Sequence, residues 1–456
     1  MKLVYGVKDK PSFGKTLVFA LQQLLAILAA TIAVPAIIGN GMSQSAALFG
    51  AGVGTIVYLL FTKFRSPVFL GSSFAFLGSM AAAFAGGVSA SAGYLGMIIG
   101  AVMAGLVYVV IALIVKFAGV KWISKLMPAV VIGPTVAIIG LSLSGNAIGD
   151  AVGVAKDGSA FVMNAHAGVC LICALVTLAV TMLCSVFGKK MMKMIPFIIG
   201  IVSGYIVASI FTITGNNTGI DAMKIIDYSA FSNLRWVPSF TFETAFSGGY
   251  DFGDAGSIAS YIGTIAAAYV PVAFVVFAEH IADHKNISTI IEHDLLEDPG
   301  LHRTLLGDGV GSMVGAFFGG CPNTTYGESI GCVAISGNAS VVTIFATAIL
   351  AIVASFFAPF VAFLASIPSC VMGGVCISLY GFIAVSGLKM IQDVDLGENR
   401  NLFIVSVILI AGVGGLVLKF GSVTITEVAC ALILGILTNL ILPEKKKADK
   451  DAKETK

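Results

Sequence analysis

Residues Gly319–Gly331 read GGCPNTTYGESIG, and residues Ser66–Gly78 read SPVFLGSSFAFLG. Each stretch has a proline near its start, then a patch of glycine, serine or threonine, and then resumes an apolar pattern. Proline removes a backbone donor and glycine loosens the backbone, so neither stretch suits the middle of a continuous helix. Ser66–Gly78 opens the charge-free run Ser66–Val115. Gly319–Gly331 joins the charge-free runs Gly309–Gly327 and Ser329–Leu388 across a single acid, Glu328. In lipid, backbone that leaves the helix survives only where it is buried in protein or lines a cavity. Both stretches are therefore expected to be broken spans that start in short extended strands.

The surrounding composition supports a lipid setting. The 456 residues are 57% hydrophobic and 11% charged, with a mean hydropathy of +0.99. A soluble domain carries about 25% charged residues. A water-soluble globule could not cover its surface with so few, which excludes a cytosolic enzyme and a disordered scaffold. A net charge of +2 is too small for a nucleic-acid partner. Further charge-free runs cover Thr16–Thr62, Leu126–Gly149, Gly158–Gly188, Met194–Ile220, Ala255–Ala278 and Asn401–Leu418. A membrane helix needs roughly 20 apolar residues. Divided on that basis, the chain is expected to hold 14 spans, seven on each side of the polar stretch 215–254. The first run is too long for a signal-peptide core and is read as a span. With both termini in the cytoplasm, only Lys156, Lys224, Arg235 and Lys419 of the 26 basic residues fall outside, as the positive-inside rule requires. The lysine-rich tail, residues 443–456, reads as solvated and disordered.

The two broken spans each take third place in a seven-span half. Matched interruptions of this kind point to a transport site between inverted repeats. A half-helix that begins inside the membrane directs unpaired N–H groups into a cavity. The competing reading is a pair of kinked helices packed through small residues.

Charged groups at membrane depth are costly, so their default reading is functional. Glu279 closes the run TIAAAYVPVAFVVFA, and Asp283 lies four residues on, on the same helix face. Glu328 lies inside the second broken span. Asp308, in GDGVG, is read either as functional or as a helix cap bracing glycine turns. Glu427 is read either as functional or as facing water or a subunit contact. Asp283 has the further alternative of belonging to the acidic loop that follows. The spacing His280-x-x-x-His284 would suit a metal pair, but the HExxH order is absent and no metal is expected. The eight cysteines lie in apolar runs and read as small core residues, the Cys170-x-x-Cys173 pair included.

Four stretches together resemble the nucleobase–ascorbate transporter family (nucleobase:cation symporter-2), and within it the bacterial uracil permeases. They are CPNTTYGESIG at Cys321–Gly331, AEHIADH at Ala278–His284, LGSSFAF at Leu70–Phe76 and LQQLLAILAATIAVP at Leu21–Pro35. The resemblance covers residues 12–442. It implies an all-α membrane fold of 7+7 inverted repeats. A core domain of residues 1–118 and 255–366 would move against a gate domain of residues 119–254 and 367–442. It implies a homodimer in the bacterial cytoplasmic membrane. It also implies that Glu279 binds the base, with Glu328, Tyr326 and Gly327 beside it. Phe74 would meet the base through its backbone, Ala30 would line the cavity, and Tyr380 would stand on the gate side.

Three positions depart from the family pattern. Asp283 stands where uracil permeases often have histidine, Gln22-Gln23 where Gln-His is frequent, and Ser336-Gly337 where Thr-Arg is common. The expected function is proton-coupled nucleobase import, most simply uracil with a proton held by Glu279, Asp283 and Glu328. A purine permease of the same family and an anion carrier of the same architecture are the alternatives. No cofactor is expected, and sodium stays open as the coupling ion. An enzyme is not expected.

Overall fold

The computed structural model describes residues 3–119, 121–154, 156–157, 160–189, 191–232, 234–420 and 423–442. The lysine-rich tail lies outside the described residues. Helix α1 (Phe13–Ile38) holds Pro35 in its last turn and ends at Gly39, whose φ of 66° a side chain would resist. Helix α2 (Gln44–Phe61) starts where the Ser43 hydroxyl accepts from the Ala46 N–H at 3.2 Å. The first broken segment follows as strand β1 (Leu70–Ser72), one 3-10 turn and helix α3 (Leu77–Ala83). Helix α4 (Ala90–Ala118) is capped by Ser89.

Helices α5 (Lys121–Leu126), α6 (Ala129–Ser142) and α7 (Ser144–Val152) come next, then a hairpin of β2 (Lys156–Asp157) and β3 (Ala160–Phe161). Helix α8 (Ala165–Phe187), a four-residue α9 (Met191–Met194) and α10 (Pro196–Thr218) complete the first half. A short α11 (Thr241–Ala245) leads to the 34-residue α12 (Ile258–Ile291). Helix α13 (Leu301–Gly319) precedes the second broken segment, strand β4 (Asn323–Thr325) and helix α14 (Gly327–Ser336). Helices α15 (Val341–Ser355) and α16 (Ala358–Ser366) form a pair bent by 82°. Helices α17 (Ser369–Met390) and α18 (Asn399–Val413), a hairpin of β5 (Leu418–Phe420) and β6 (Val423–Ile425), and α19 (Glu427–Ile441) end the fold.

With α6 and α7 counted together as Ala129–Val152, eight described helical stretches are long and apolar enough to cross a membrane, and a ninth arises if the bent pair is one span. The apolar α18, α19 and the Phe74–Ala83 segment are shorter. Length alone therefore does not reach the expected 14. Large apolar side chains such as Phe117, Ile210 and Ile410 stay exposed on the outside of the bundle, as a lipid solvent permits.

Two packing sets are visible. Helix α13 lies against α2 and α4, α12 against α4, and α15 against α1 and α2. Helix α17 lies against α6, α7 and α8, α10 against α8, and α18 against α6 and α19. Glycine makes the tightest of these crossings. A Cβ on Gly54 would come within 2.8 Å of the Gly311 carbonyl, and one on Gly50 within 2.5 Å of the Gly315 carbonyl. Small residues let α2 and α13 approach closely without a side chain between them. That approach brings the two broken segments together.

Candidate functional site

Strands β1 and β4 pair antiparallel, with Leu70 opposite Thr325, Gly71 opposite Thr324 and Ser72 opposite Asn323. The pairing satisfies backbone groups that the broken helices leave open. It extends at both ends, with Ser73 N–H donating to the Pro322 carbonyl at 2.9 Å and Tyr326 N–H to the Phe69 carbonyl at 3.2 Å. The Tyr326 hydroxyl donates to the Ser72 carbonyl at 2.8 Å, and its ring lies where a Cβ on Gly71 would stand. Asn323 Nδ2 donates to the Gly50 carbonyl at 3.0 Å, tying β4 to α2.

The Glu279 and Asp283 of α12, with Gly327 and Glu328 of α14, line one cavity of about 330 Å³. Asp283 Oδ2 accepts from the Thr325 hydroxyl at 2.6 Å, so this acid belongs to the site and not to the loop beyond it. Glu328 sits in the first turn of α14, where unpaired N–H groups favour negative charge or a carbonyl oxygen. A Cβ on Gly327 would meet nothing within 4 Å, which leaves open space beside those donors.

The opposite side of α12 is locked by polar contacts. His280 Nδ1 lies 2.7 Å from Asp308 Oδ2, and its Nε2 lies 3.0 Å from the Thr304 hydroxyl. His284 Nδ1 donates to the His280 carbonyl at 2.8 Å, and its Nε2 lies 2.7 Å from the Tyr58 hydroxyl. The two imidazoles stack with centroids 4.0 Å apart. Asp308 is 1% exposed in the middle of α13, so it neither caps a helix nor joins the cavity; it orients His280.

Other expected site residues do not line this cavity. Ala30 is buried in α1 and lines neither this cavity nor the next. Ala26, one turn earlier on α1, lines the cavity instead. Tyr326 is buried with its hydroxyl spent on Ser72 and braces β1. Phe74 lines a second cavity of about 460 Å³, with Asn146, Thr426 and Glu427, which shares no lining residue with the first. Ala26 and Ile37 belong to different cavities and stand about three turns apart along α1. Tyr380 meets the Phe74 ring edge-on, with centroids 5.7 Å apart.

Sequence reading missed several participants. Lys193, Met194 and Phe382 also line the acid cavity. Gln23 Nε2 donates to the Ser329 hydroxyl at 2.5 Å, and Phe69 N–H donates to the same oxygen at 3.2 Å. Gly327–Gly331, GESIG, has the spacing of a hydrolase nucleophile elbow. Ser329 is fully buried and, among the described residues, no histidine is a hydrogen-bond partner, so its hydroxyl ties α1 to the broken spans. The sequence signals for Gln23 are its place beside Gln22 in a largely apolar first span and the departure from Gln-His given above.

A helical membrane protein whose two interrupted segments pair beside a carboxyl-lined cavity has the build of a permease. The chain matches the Permease family (Xan_ur_permease) over residues 14–419, and it belongs to that nucleobase:cation symporter-2 family. It is 42% identical to the uracil permease of Bacillus caldolyticus, over 98% of this chain and 96% of that one. The uracil permease of Bacillus subtilis (strain 168) is 38% identical over 99% and 98% of the two chains. That of Escherichia coli (strain K12) is 34% identical over 96% and 93%. Among solved structures, the transmembrane domain of the cyanobacterial bicarbonate transporter BicA superposes with a TM-score of 0.61 at 16% identity, covering 96% of this chain and 99% of that one. SLC26A9 superposes with a TM-score of 0.66 at 12% identity, covering 94% and 64%. At those identities the likeness concerns the fold alone.

Proposed function

We propose that this chain imports uracil together with a proton, by exposing one site alternately to the two faces of the membrane. The observation that carries the reading is the meeting of Glu279, Asp283 and Glu328 at one cavity beside the start of α14. Uracil is a small, planar, neutral ring whose edge alternates N–H donors and C=O acceptors. A Glu279 carboxyl oxygen accepts from a ring N–H, and the open N–H groups of α14 donate to a ring carbonyl. A site built to pair with such an edge rejects analogues that leave its buried polar groups unpaired. The high identity to uracil permeases over nearly the whole chain supports uracil, and the purine alternative is not favoured. An anion carrier is disfavoured by the chemistry, since the acids would repel an anion and neither broken segment holds a basic residue.

A neutral substrate gains nothing from the membrane potential, so uphill import needs a charge carried with it. One proton moving inward supplies about 2.3 kcal/mol per 100 mV, a roughly 50-fold accumulation. Burial favours the neutral form of a carboxyl, which suits a group that must cross with its proton. Two cavities at different depths along α1 support alternating access. We read the three shorter apolar segments, together with α13 and the second broken segment of β4 and α14, as the remaining spans of a 14-span fold, and the two packing sets as the core and gate domains with the boundaries expected above. The charge distribution supports cytoplasmic termini in a bacterial inner membrane. The homodimer rests on the family resemblance.

The test is uptake of labelled uracil by purified protein in liposomes, with and without an inward proton gradient, and with a sodium gradient as control. Unlabelled uracil, xanthine and guanine serve as competitors. The expected result is accumulation driven by the proton gradient and suppressed only by uracil. Better competition by xanthine overturns the substrate; accumulation driven by sodium alone overturns the coupling ion.

A further inference from the structure

We propose that Lys193 is the counter-charge of the acid cluster, held by α9 as a latch across the mouth of the cavity. The proposal rests on the proton-coupled reading above.

The cavity lined by Glu279, Asp283 and Glu328 has one base among its described residues, and it is Lys193. The acids come from α12 and α14; the lining residues contributed by α1, α6, α8, α10 and α17 carry no charge. Lys193 is exposed and makes no ion pair with a described residue in this conformation. Its flexible four-carbon stem lets the ammonium reach a partner that a rigid side chain at the same place could not.

The segment that carries Lys193 is attached in an unusual way. Helix α9 has only four residues, between the long α8 and α10. Its Met194 packs with Ala26 of α1 and Cys332 of α14, with Ile195 against them, in a small cluster separate from the main core. Gln22 Nε2 of α1 also meets Met191 Sδ at 2.8 Å. The short helix is therefore tethered in sequence to one packing set and seated in space on the two helices that flank the acids. A movement of α1 and α14 relative to α8 and α10 separates Lys193 from the cluster or brings it in.

The consequence is electrostatic. Three carboxyls in a water-poor cavity repel one another once more than one has lost its proton. When a carboxyl releases its proton to water at the open mouth, the Lys193 side chain takes the carboxylate as partner. The emptied site is then partly neutralised without a coupling proton. Proton release is favoured, and recapture from that face is opposed. When the acid is protonated and the base is bound, Lys193 returns to water.

The experiment measures equilibrium binding of labelled uracil to the purified full chain between pH 5 and 9, for the native chain, Lys193→Met and Lys193→Arg. Methionine keeps most of the stem and removes the charge. An opposite charge close by stabilises a carboxylate by about one pH unit or more. The expected result is an alkaline limb of binding moved up by about one pH unit in Lys193→Met, and left within about 0.3 unit of native in Lys193→Arg. Raising salt to about 1 M should move the native limb toward that of Lys193→Met, since exposed charges are screened over a few ångströms there. An unmoved limb in Lys193→Met overturns the latch, as does an equal shift in Lys193→Arg, which would mark a role of shape. A native chain with no alkaline limb also overturns it. Gradient-driven uptake by the native chain tests the proton reading separately, so the two failures are told apart.

Discussion

Replacing Gly71 by alanine should separate the two broken spans. The new Cβ would stand 2.3 Å from Cε2 and Cζ of Tyr326, whose own backbone N–H and hydroxyl both bond the first broken segment. The ring cannot simply turn aside, because it is buried and its hydroxyl donates to the Ser72 carbonyl. Overpacking a close-fitted site costs about 1–3 kcal/mol. Displacing the ring also leaves a buried carbonyl unpaired, a further ~1–3 kcal/mol. The total of roughly 2–6 kcal/mol exceeds what Tyr326→Phe should cost, since that change removes the hydrogen bond and keeps the packing. The register of Gly327 and Glu328 follows directly from Tyr326, so binding should fall with stability. The assay is thermal unfolding in detergent, followed by equilibrium uracil binding at a temperature where both proteins stay folded. Gly71→Ala should unfold at lower temperature than Tyr326→Phe and bind uracil at least ~10-fold more weakly, the equivalent of about 1.4 kcal/mol. A Gly71→Ala protein that melts with the native chain and binds as tightly would refute the pairing of β1 with β4 as the frame of the site.

Three further outcomes can be measured. Gly327→Ala adds a methyl to open space at the start of α14; it should leave the melting temperature unchanged and weaken uracil binding, because the methyl occupies the room beside the α14 donors. Glu279→Gln keeps the shape of the side chain and removes its proton chemistry; counterflow exchange in liposomes should persist at a reduced rate while accumulation against a gradient is lost. Asp308→Ala leaves His280 Nδ1 buried without its partner; it should destabilise the protein by about 1–3 kcal/mol in denaturant unfolding, with a smaller effect from Asp308→Asn.

Much of this site is legible in the chain. Glu279 and Asp283 stand four residues apart, and helical periodicity alone puts them on one face. Glu328 is legible because it interrupts an otherwise charge-free stretch beside a proline and several polar residues. Lys193 is not legible, since it belongs to a basic loop whose charge topology already explains. Asp308 looks like a glycine-turn brace because its partner, His280, lies 28 residues earlier in another helix. Ala30 and Ala26 are one helical turn apart, and which of them faces the cavity depends on the rotation of α1 against its neighbours.

By itself, the sequence determined the solvent, the places where helices break and the face of α12 that carries acid. These follow from local arithmetic, because lipid excludes charge and a helix repeats every 3.6 residues. Only the tertiary structure decided that the two breaks pair as β1 and β4, that Glu328 joins Glu279 and Asp283, and that His280 takes Asp308 away from the cavity. It also decided that Phe74 and the acids line different cavities, and that α9 brings a lysine to the acid-lined one. These meetings join residues far apart in the chain, and they depend on how closely glycine-lined helices approach. No local pattern in the sequence contains that distance.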